Sequence, residues 1–557
     1  MKFAAIAALV TAAAALSPAM GQEQTAAEAG ADTAPPRLVV AISVDQLSAD
    51  IFAQHRQDFT GGFARLLSGV VFPSGYQAHA ATETCPGHST ILTGNHPAHT
   101  GIIANHWFDM NLERDEPSMY CAEDTSVPGS TAEEYTVSPR TLLVPTLGDL
   151  MKAANPASRV VAVAGKDRSA VMMGGHDADQ MFWPGESGFT TFADREAPAS
   201  LAEINAMVAT AATSDRQPLP MPEACTAYYR AIPAGDNQSV GTHLFARGPG
   251  GGRAILTTPE GDVLTLNLAA DLVSEMELGQ GEATDLLAIS LASTDYIGHA
   301  YGTEGAEMCV QLMALDAMLG DFFARLDARG IDYVAVLTAD HGGLDLPERQ
   351  QIQGAPDATR LLPGFETLNE RLAAETGLEA PLLRFSGPFG DFYVDRSVPE
   401  ERRAEVRDRA IAMISAHPQV HRVFAREEIA AQPMPSGPPE SWSTLDRLRA
   451  SFNPERSGDF LVVLNPRVTP SPVALPGRYV ATHGSVWDYD RRVPILFWWP
   501  GAAHFEQPLG VMTVDIMPTL ASLIDLDVSQ ASIDGHCLDL MPGAETNCPA
   551  VPAPSSP

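Results

Sequence analysis

The sequence predicts an α/β fold in which a mostly parallel sheet is buried on both faces. Short apolar runs rich in β-branched residues end at polar or acidic residues. Amphipathic stretches of helical length, such as Met308–Leu326 and Val514–Ile524, lie between and after these runs. This alternation is typical of parallel sheets covered by helices. The chain of 557 residues, 45% of them hydrophobic, is also long enough for a large core.

Five apolar runs are the predicted strands of this sheet. In parallel sheets the ligand site lies at the carboxyl ends of the strands, and the polar residues of these runs stand at those ends. The runs are LVVAISV before Asp45, VVAVA before Lys166, LLAIS before Asp295, YVAVLT before Asp340, and VPILFWW after His483.

Residues 351–454 interrupt this pattern. They are rich in Arg and Glu and include a strongly charged predicted helix, Glu400–Ser415. We interpret them as an inserted cap or subdomain, because polar residues at predicted strand ends lie on both sides of them. The core is then formed by residues 37–350 and 455–545.

The first residues of the chain, 1–21, carry one Lys, an apolar run and then small residues, which is typical of a signal peptide cleaved before Gln22. The apolar run is too short to span a bilayer comfortably, and no later segment reaches about 18 uninterrupted apolar residues. We therefore expect a periplasmic or secreted protein without an integral membrane span. Composition predicts a flexible leader at 22–36 and a flexible tail at 546–557.

The net charge of −34 argues against a nucleic-acid-binding protein, which needs a basic surface. It also means that an anionic substrate must be attracted locally, by metals and a few placed cations. Six cysteines, an even number in an exported chain, permit disulfides, and Cys537 and Cys548 would close a small C-terminal loop. The sequence does not decide the pairing. Without CxxC spacing, we expect no cysteine zinc site.

Carboxylates and imidazoles gather after the predicted strands. Asp295 and His299 are four residues apart, so a helical turn points both the same way. Asp340 and His341 follow YVAVLT, and His483 follows YVAT. One such cluster alone is more often structural than catalytic. Several at sheet ends predict a metal site, because zinc prefers these ligands when thiolates are absent.

Residues 82–90, TETCPGHST, predict the beginning of a helix. Pro86 suits the first turn, where its missing N–H would be unpaired in any case. Thr84 would then lie at the helix entrance, where free N–H groups and the helix dipole favour an anionic group. A plain capping role is the alternative. A threonine hydroxyl is a poor nucleophile until a metal lowers its pKa, so a catalytic Thr84 depends on the metal site.

Together these motifs resemble the alkaline phosphatase superfamily. Within it, the chain resembles the exported bacterial branch that uses threonine and is related to type I phosphodiesterases and nucleotide pyrophosphatases. The resemblance implies a three-layer α/β/α sandwich with two zinc ions and a covalent phosphoryl-enzyme intermediate. The matching segments are VDQL (44–47), TETCPGHSTILTG (82–94), GIIANHWFD (101–109), KDRSAV (166–171), STDYIGHAYG (293–302), TADHGG (338–343), FNPERSGDFLVVLNP (452–466), ATHGSVWDYDRRVPILF (481–497) and TVDIMPTLASL (513–523).

The resemblance also implies a set of ligands for two zinc ions per active site. Two metals about 4 Å apart can clamp the attacking and leaving oxygens of an in-line displacement. One would lower the pKa of the threonine, and the other would neutralise the leaving alkoxide. By motif, Asp295, His299 and His483 would hold one zinc, and Asp45, Thr84, Asp340 and His341 the other.

Three further residues indicate the substrate class. Asn105, Lys166 and Arg168 match the Asn and the Lys-x-Arg that monoesterases of this branch share and that contact phosphoryl oxygens. A monoester carries about two negative charges and a diester one, so two added cations favour the monoester. We therefore predict an alkaline phosphatase that acts on small phosphate monoesters. A phosphodiesterase or nucleotide pyrophosphatase is the alternative, and a catalytically silent binding protein is disfavoured by the complete ligand set.

Neighbouring residues are assigned no role in the metal site. Cys85 lacks the C-x-P-x-R pattern from which sulfatases make their nucleophile, so Thr84 is the better nucleophile. His176, in GGHDAD, is left without a role. Capping or packing is expected for His88, His96, His99 and His106.

Overall fold

The computed structural model describes residues 35–235 and 237–550. The predicted signal peptide, residues 1–21, lies outside the described residues, as does all but the end of the predicted leader, 22–36. Among the helices that are described, none has the length and apolar character needed to cross a membrane.

The strands form one large sheet and several smaller ones. In chain order they are β1 (Leu38–Val44), β2 (Val70–Tyr76), β3 (His106–Phe108), β4 (Ser118–Tyr120), β5 (Val160–Ala164), β6 (Gln180–Pro184), β7 (Phe189–Thr190), β8 (Ile232–Pro233), β9 (Ser239–Val240), β10 (Asp285–Leu291), β11 (Tyr333–Thr338), β12 (Thr359–Arg360), β13 (Leu383–Phe385), β14 (Gly390–Val394), β15 (Val420–Ala425), β16 (Phe460–Leu464), β17 (Val468–Thr469), β18 (Arg492–Trp498), β19 (Phe505–Glu506) and β20 (Val511–Met512).

The helices lie mainly between these strands. They are α1 (Ala49–His55), α2 (Gly62–Leu67), α3 (Thr84–Ile91), α4 (Pro97–Thr100), α5 (Leu147–Ala154), α6 (Asp167–Gly174), α7 (Ala199–Thr213), α8 (Arg253–Leu256), α9 (Glu260–Glu275), α10 (Ser293–Tyr301), α11 (Ala306–Asp327), α12 (Pro347–Gln353), α13 (Leu368–Thr376), α14 (Glu400–Ser415), α15 (Arg426–Ala431), α16 (Thr444–Ser451), α17 (Asp488–Arg491) and α18 (Ile516–Leu523). Short 3₁₀ helices occupy Glu223–Tyr228, Pro439–Ser441 and Thr513–Asp515.

The central sheet has the strand order β19-β2-β18-β11-β1-β10-β5-β6-β7, with β20 paired to β2. The neighbours β11, β1, β10, β5 and β6 run parallel to one another. The prediction of a mostly parallel sheet is confirmed, and four of the predicted strands lie side by side in it. The fifth, VPILFWW, forms β18, which lies in the same sheet but runs antiparallel to β11 and β2.

Apolar cores on both faces of the sheet explain why its strands read as continuous apolar runs. Alternate residues of β1 point to opposite cores: Val40 and Ile42 belong to one, and Val39 and Ala41 to the other. Helices α9 and α11 pack on the first face, and α3, α6 and α18 pack on the second. The result is the helix–sheet–helix layering that the sequence resemblance implied.

A second, antiparallel sheet has the order β13-β14-β16-β15 and a separate apolar core beneath α13 and α14. Helix α14 has the predicted bounds. Strand β16 lies inside this sheet, although its sequence, FLVVL, reads like a strand of the central one. The second sheet thus includes a strand beyond residue 454, and the end of the inserted segment at residue 454 stays a prediction.

Disulfides fix three places in the described chain. The pair Cys537–Cys548 closes the small C-terminal loop that the spacing suggested, and Asn547 Oδ1 accepts a hydrogen bond from the N–H of Leu540. The chain is thus anchored beyond residue 546, where we placed the start of a flexible tail. The other pairs are Cys85–Cys121 and Cys225–Cys309.

Candidate active site

The candidate site lies at the carboxyl ends of four adjacent parallel strands. Asp45 follows β1, Lys166 follows β5, Asp295 lies in the first turn of the helix after β10, and Asp340 follows β11. Because the strand order is β11-β1-β10-β5, these ends meet at one edge of the sheet. Residues that are nearly 300 positions apart in sequence, Asp45 and Asp340, thereby become neighbours, as their Cα-paired strands require.

Thr84 is the first residue of α3 and only 1% exposed. Pro86 lies in the first turn of this helix, as predicted. Gly87 lets the helix approach the end of β11, because a Cβ at this position would overlap the backbone of Asp340. The Cys-Pro-Gly sequence therefore begins the helix and also seats Thr84 against the acidic sheet edge.

The first group of potential metal ligands is Asp45, Asp340 and His341, all fully buried. His341 donates Nδ1–H to the carbonyl oxygen of Gly342 at 2.8 Å, so its Nε2 faces the carboxylates. This Nε2 lies 3.4 Å from Asp45 Oδ1 and 3.3 Å from Asp340 Oδ2. Within the described chain, neither His341 Nε2 nor Asp45 Oδ1 forms a hydrogen bond. Buried polar atoms are normally satisfied, so this convergence fits a bound cation.

The second group is Asp295, His299 and His483. The Nε2 atoms of His299 and His483 lie 3.2 and 3.4 Å from Asp295 Oδ1. Each histidine donates Nδ1–H to a backbone carbonyl, at 2.9 Å to Ala481 and at 2.8 Å to Thr82. Such outer bonds fix the tautomer and the ring orientation of metal-binding histidines.

Lys166 joins the two groups. Its Nζ lies 2.6 Å from Asp45 Oδ2 and 2.6 Å from Asp295 Oδ2. Burial lowers the pKa of Lys166, but the carboxylates of Asp295 and Asp45 outweigh burial and raise the pKa above its ordinary value. The side chain is therefore a fixed ammonium. The rings of His341 and His483 also stack across the two groups, with centroids 3.6 Å apart.

The hydroxyl of Thr84 faces two cations. Lys166 Nζ and Arg168 Nη2 each lie 3.4 Å from Thr84 Oγ1. Arg168 also donates to the hydroxyl of Tyr120 at 3.3 Å, and Tyr120 in turn donates to Asp167 at 2.7 Å. Both cations of the predicted Lys-x-Arg pair are therefore held beside the predicted nucleophile.

Asn105, the third predicted substrate contact, braces the helix that carries Thr84. Its Oδ1 accepts the N–H of Cys85 at 2.8 Å, and its own N–H donates to Glu83 at 2.7 Å. The sulfur of Cys85 is bonded to Cys121 and is not a free thiol. Two later segments of the chain, around Asn105 and Cys121, are thus tied to the first turn of α3.

Two residues to which the sequence assigns no part in the metal site contact its carboxylates. His88 Nδ1 lies 2.8 Å from the carbonyl oxygen of Thr84 and 3.1 Å from Asp340 Oδ2. Gln46 donates its backbone N–H to Asp340 at 3.1 Å and its side-chain amide to Asp295 at 2.9 Å. The only sequence signal for these two residues is their position, since each lies within four residues of a predicted site residue.

The other histidines near the motifs belong to neither ligand group. His176 lies 3.2 Å from Asp149 Oδ2, and His99 lies 2.9 Å from Asp534. His96 stands at the N-cap position of α4. His96 and His99, for which capping or packing was expected, thus lie outside both ligand groups, as does His176, which was left without a role.

The two carboxylates of the first group, Asp45 and Asp340, repel each other. Burial, followed by the Asp340 carboxylate, raises the pKa of Asp45 well above its usual value. Burial also lowers the pKa of His341 to about 3, so the imidazole is neutral, which is the form that binds metals. A divalent cation would stabilise both carboxylates in their ionised form.

Comparison with known proteins shows the family of the chain. The family model for type I phosphodiesterase / nucleotide pyrophosphatase matches residues 39–485. The chain is 51% identical over 519 residues to alkaline phosphatase PhoK of Sphingomonas sp, covering 92% of this chain and 93% of that protein. It is 47% identical over 519 residues to alkaline phosphatase PhoD of Zymomonas mobilis, covering 92% and 89%.

Solved structures give the same fold. The crystal structure of alkaline phosphatase PafA matches with a TM-score of 0.76 and 26% identity, covering 89% of this chain and 97% of that one. Murine ectonucleotide pyrophosphatase / phosphodiesterase 5 matches with a TM-score of 0.51 and 15% identity, covering 89% and 96%, which is a likeness of fold alone. The predicted fold class is confirmed.

Proposed function

The chain belongs to the type I phosphodiesterase / nucleotide pyrophosphatase family and is an alkaline phosphatase, and on that premise we propose that Thr84 is its nucleophile at a two-zinc site. One observation carries the proposal. The hydroxyl of a residue at a helix N-terminus lies 3.4 Å from both Lys166 and Arg168, beside two groups of metal-type ligands.

The two ligand groups suit zinc in number and kind. Asp45, Asp340 and His341, together with Thr84, would hold one ion, and the second group of three would hold the other. Zinc bound there lowers the pKa of a coordinated hydroxyl and neutralises charge on a leaving oxygen. The oriented Nε2 atom of His341 and the unsatisfied carboxylate oxygen Oδ1 of Asp45 support this assignment.

The reaction follows from what the side chains can do. Thr84 Oγ attacks phosphorus and loses its proton, the bond from phosphorus to the ester oxygen breaks, and that oxygen takes up a proton and departs as the alcohol, which leaves phosphothreonine. Water then attacks the same phosphorus and releases inorganic phosphate and the threonine hydroxyl. The N-terminus of α3 favours the negative charge that Thr84 carries during both steps.

Lys166 and Arg168 would hold the phosphoryl group during these steps. Once Asp45 and Asp295 have another positive partner, the Lys166 ammonium is available to a phosphoryl oxygen. Arg168, braced by Tyr120, can bind two such oxygens with its planar fork. A monoester has three such oxygens that share about two charges, so this pair of cations favours it over a diester.

The test is to trap the intermediate. Enzyme quenched in acid during turnover of phenyl phosphate should carry one phosphoryl group on the peptide that contains Thr84, identified by mass spectrometry. The Thr84→Ala variant should carry none. Phosphate found on another residue, or on no residue while turnover continues, would overturn the proposal, and faster turnover of a matched diester would favour the phosphodiesterase alternative.

We also propose that the enzyme works outside the cytoplasm. The signal-peptide pattern of residues 1–21 supports this, and so do the disulfides, which form and persist in oxidising compartments. Fractionation of the producing cell, followed by N-terminal sequencing of the protein, should find a chain that begins at Gln22 in the periplasm or medium.

A further inference from the structure

A cavity of about 100 Å³ lies beside the candidate active site, between the core and the second sheet. The core contributes Glu83 and Trp107 to its wall, and the second sheet contributes Phe389 and Asp391. It shares His483 with the second ligand group. The mechanism described above uses none of this space.

Phe389 brings the second sheet to the site. It is half-buried and lies in the turn between β13 and β14. A Cβ on Gly484 would lie 3.0 Å from the tip of the Phe389 ring, so the ring rests on the backbone next to His483. Gly484 has a φ of +107°, which also disfavours any larger residue there.

The wall of the cavity is mainly apolar and also carries acidic side chains. Most of its lining is aliphatic or aromatic, and it includes Glu83, Asp391 and Asp490, whereas no lysine or arginine of the described residues lines it. Burial raises the pKa of Asp391 to about 7 against the hydrogen bond from the N–H of Gly458, and Glu83 adds to the rise. At alkaline pH, therefore, Asp391 is an anion.

We propose that this cavity binds the organic part of the alcohol that leaves phosphorus, and that it selects uncharged apolar groups over anionic ones. The inference rests on the proposed function, since it assigns the phosphoryl group to Lys166 and Arg168 and the alcohol to the side of His483. A dry cavity of about 150 Å³ holds benzene, so the volume of about 100 Å³ here leaves space for one ring at most. The carboxylates repel a leaving group of their own charge.

The first test compares ring-bearing and small substrates. Phe389→Ala should lower kcat/KM for phenyl phosphate by about tenfold, the loss expected for one lost apolar contact, and for methyl phosphate by less than about twofold. Phe385→Ala is the matched control, because this phenylalanine lies on the same hairpin, stacks on Phe392 and does not line the cavity. Equal losses on both substrates, or equal losses in both variants, would overturn the inference.

The second test concerns charge. Asp391→Asn keeps an oxygen for the hydrogen bond from Gly458 and removes the negative charge. At pH 9 it should raise the ratio of kcat/KM for a phenyl phosphate with a ring carboxylate to kcat/KM for phenyl phosphate itself by about fivefold. An unchanged ratio of the two substrates would refute charge selection. If the wild-type enzyme hydrolyses no phosphate monoester at all, the proposed function is wrong. If it hydrolyses these monoesters but the variants do not change the ratios of kcat/KM between the paired substrates, only the assignment of the cavity is wrong.

Discussion

Removal of the Lys166 ammonium should lower monoester hydrolysis far more than diester hydrolysis. The side chain is buried and its Nζ lies 3.4 Å from Thr84 Oγ1, where the transferring phosphoryl group must arrive. A unit charge at this distance, in a medium with an effective dielectric constant of about 20, interacts with another by about 5 kcal/mol.

The loss in Lys166→Ala should be smaller than this Coulomb energy, because Asp45 and Asp295 share the charge of the ammonium. We expect a loss of about 2–4 kcal/mol in transition-state stabilisation for a monoester, the range for a placed electrostatic donor, or roughly 30- to 900-fold in kcat/KM. A diester carries about half the negative charge, so its loss should be about half as large in free energy.

The assay is kcat/KM on a matched aryl phosphate monoester and diester for wild type, Lys166→Ala, Arg168→Ala and Asn105→Ala. Lys152→Ala is the control, since this lysine pairs with Asp179 away from the site. Zinc content is measured for every variant, which separates lost metal from lost charge. Equal losses on the two substrates, at full zinc content, would refute the reasoning and favour a phosphodiesterase.

Three further outcomes are expected. Thr84→Ser should retain much of the activity because it keeps the hydroxyl, whereas Thr84→Ala should lose several orders of magnitude in kcat. If single-turnover kinetics of Thr84→Ala give near-wild-type rates, the nucleophile is another residue. Dialysis against a chelator should abolish phenyl phosphate turnover and added zinc should restore it, so a metal-free protein with full activity would contradict the two-zinc proposal. Burial raises the pKa of Asp262 to about 6, so the folded state binds its proton more tightly than the unfolded state does. The unfolding free energy should therefore fall as pH rises from about 4 to 6, and urea titrations of Asp262→Asn should show a flatter pH dependence than wild type.

The sheet edge could be predicted because its signals are local. An apolar run followed by an ionisable residue marks the end of a buried strand. This signal predicts the ends of β1, β5, β10 and β11. Strand β2 was not predicted, since its sequence VVFPSGY contains Pro and Gly, which disfavour strands. The structure accommodates them where the pairing of β2 with β18 shifts register between Val493 and Ile495.

The rest of the site depends on contacts between distant segments. An apolar run such as FLVVL fixes that β16 is a buried strand but not which sheet it joins, and that choice sets where the inserted segment ends. Likewise, nothing near Phe389 in sequence indicates that its ring reaches the backbone beside His483. The sequence does not single out His88 or Gln46 as partners of the site, because His and Gln have many structural uses, and their contacts with Asp340 appear only in the fold.

The Cys85–Cys121 disulfide makes the onset of activity depend on when this bond forms during the maturation of the protein. It joins the residue after the proposed nucleophile to the residue after Tyr120, which braces Arg168. A newly made chain in a reducing cytosol would lack this bond, and its nucleophile and its phosphate-binding arginine would not be held together covalently. The chain would then be exported first, oxidised next and become active last. Phosphate esters in the cytosol of the producing cell would therefore not be hydrolysed by the newly made chain.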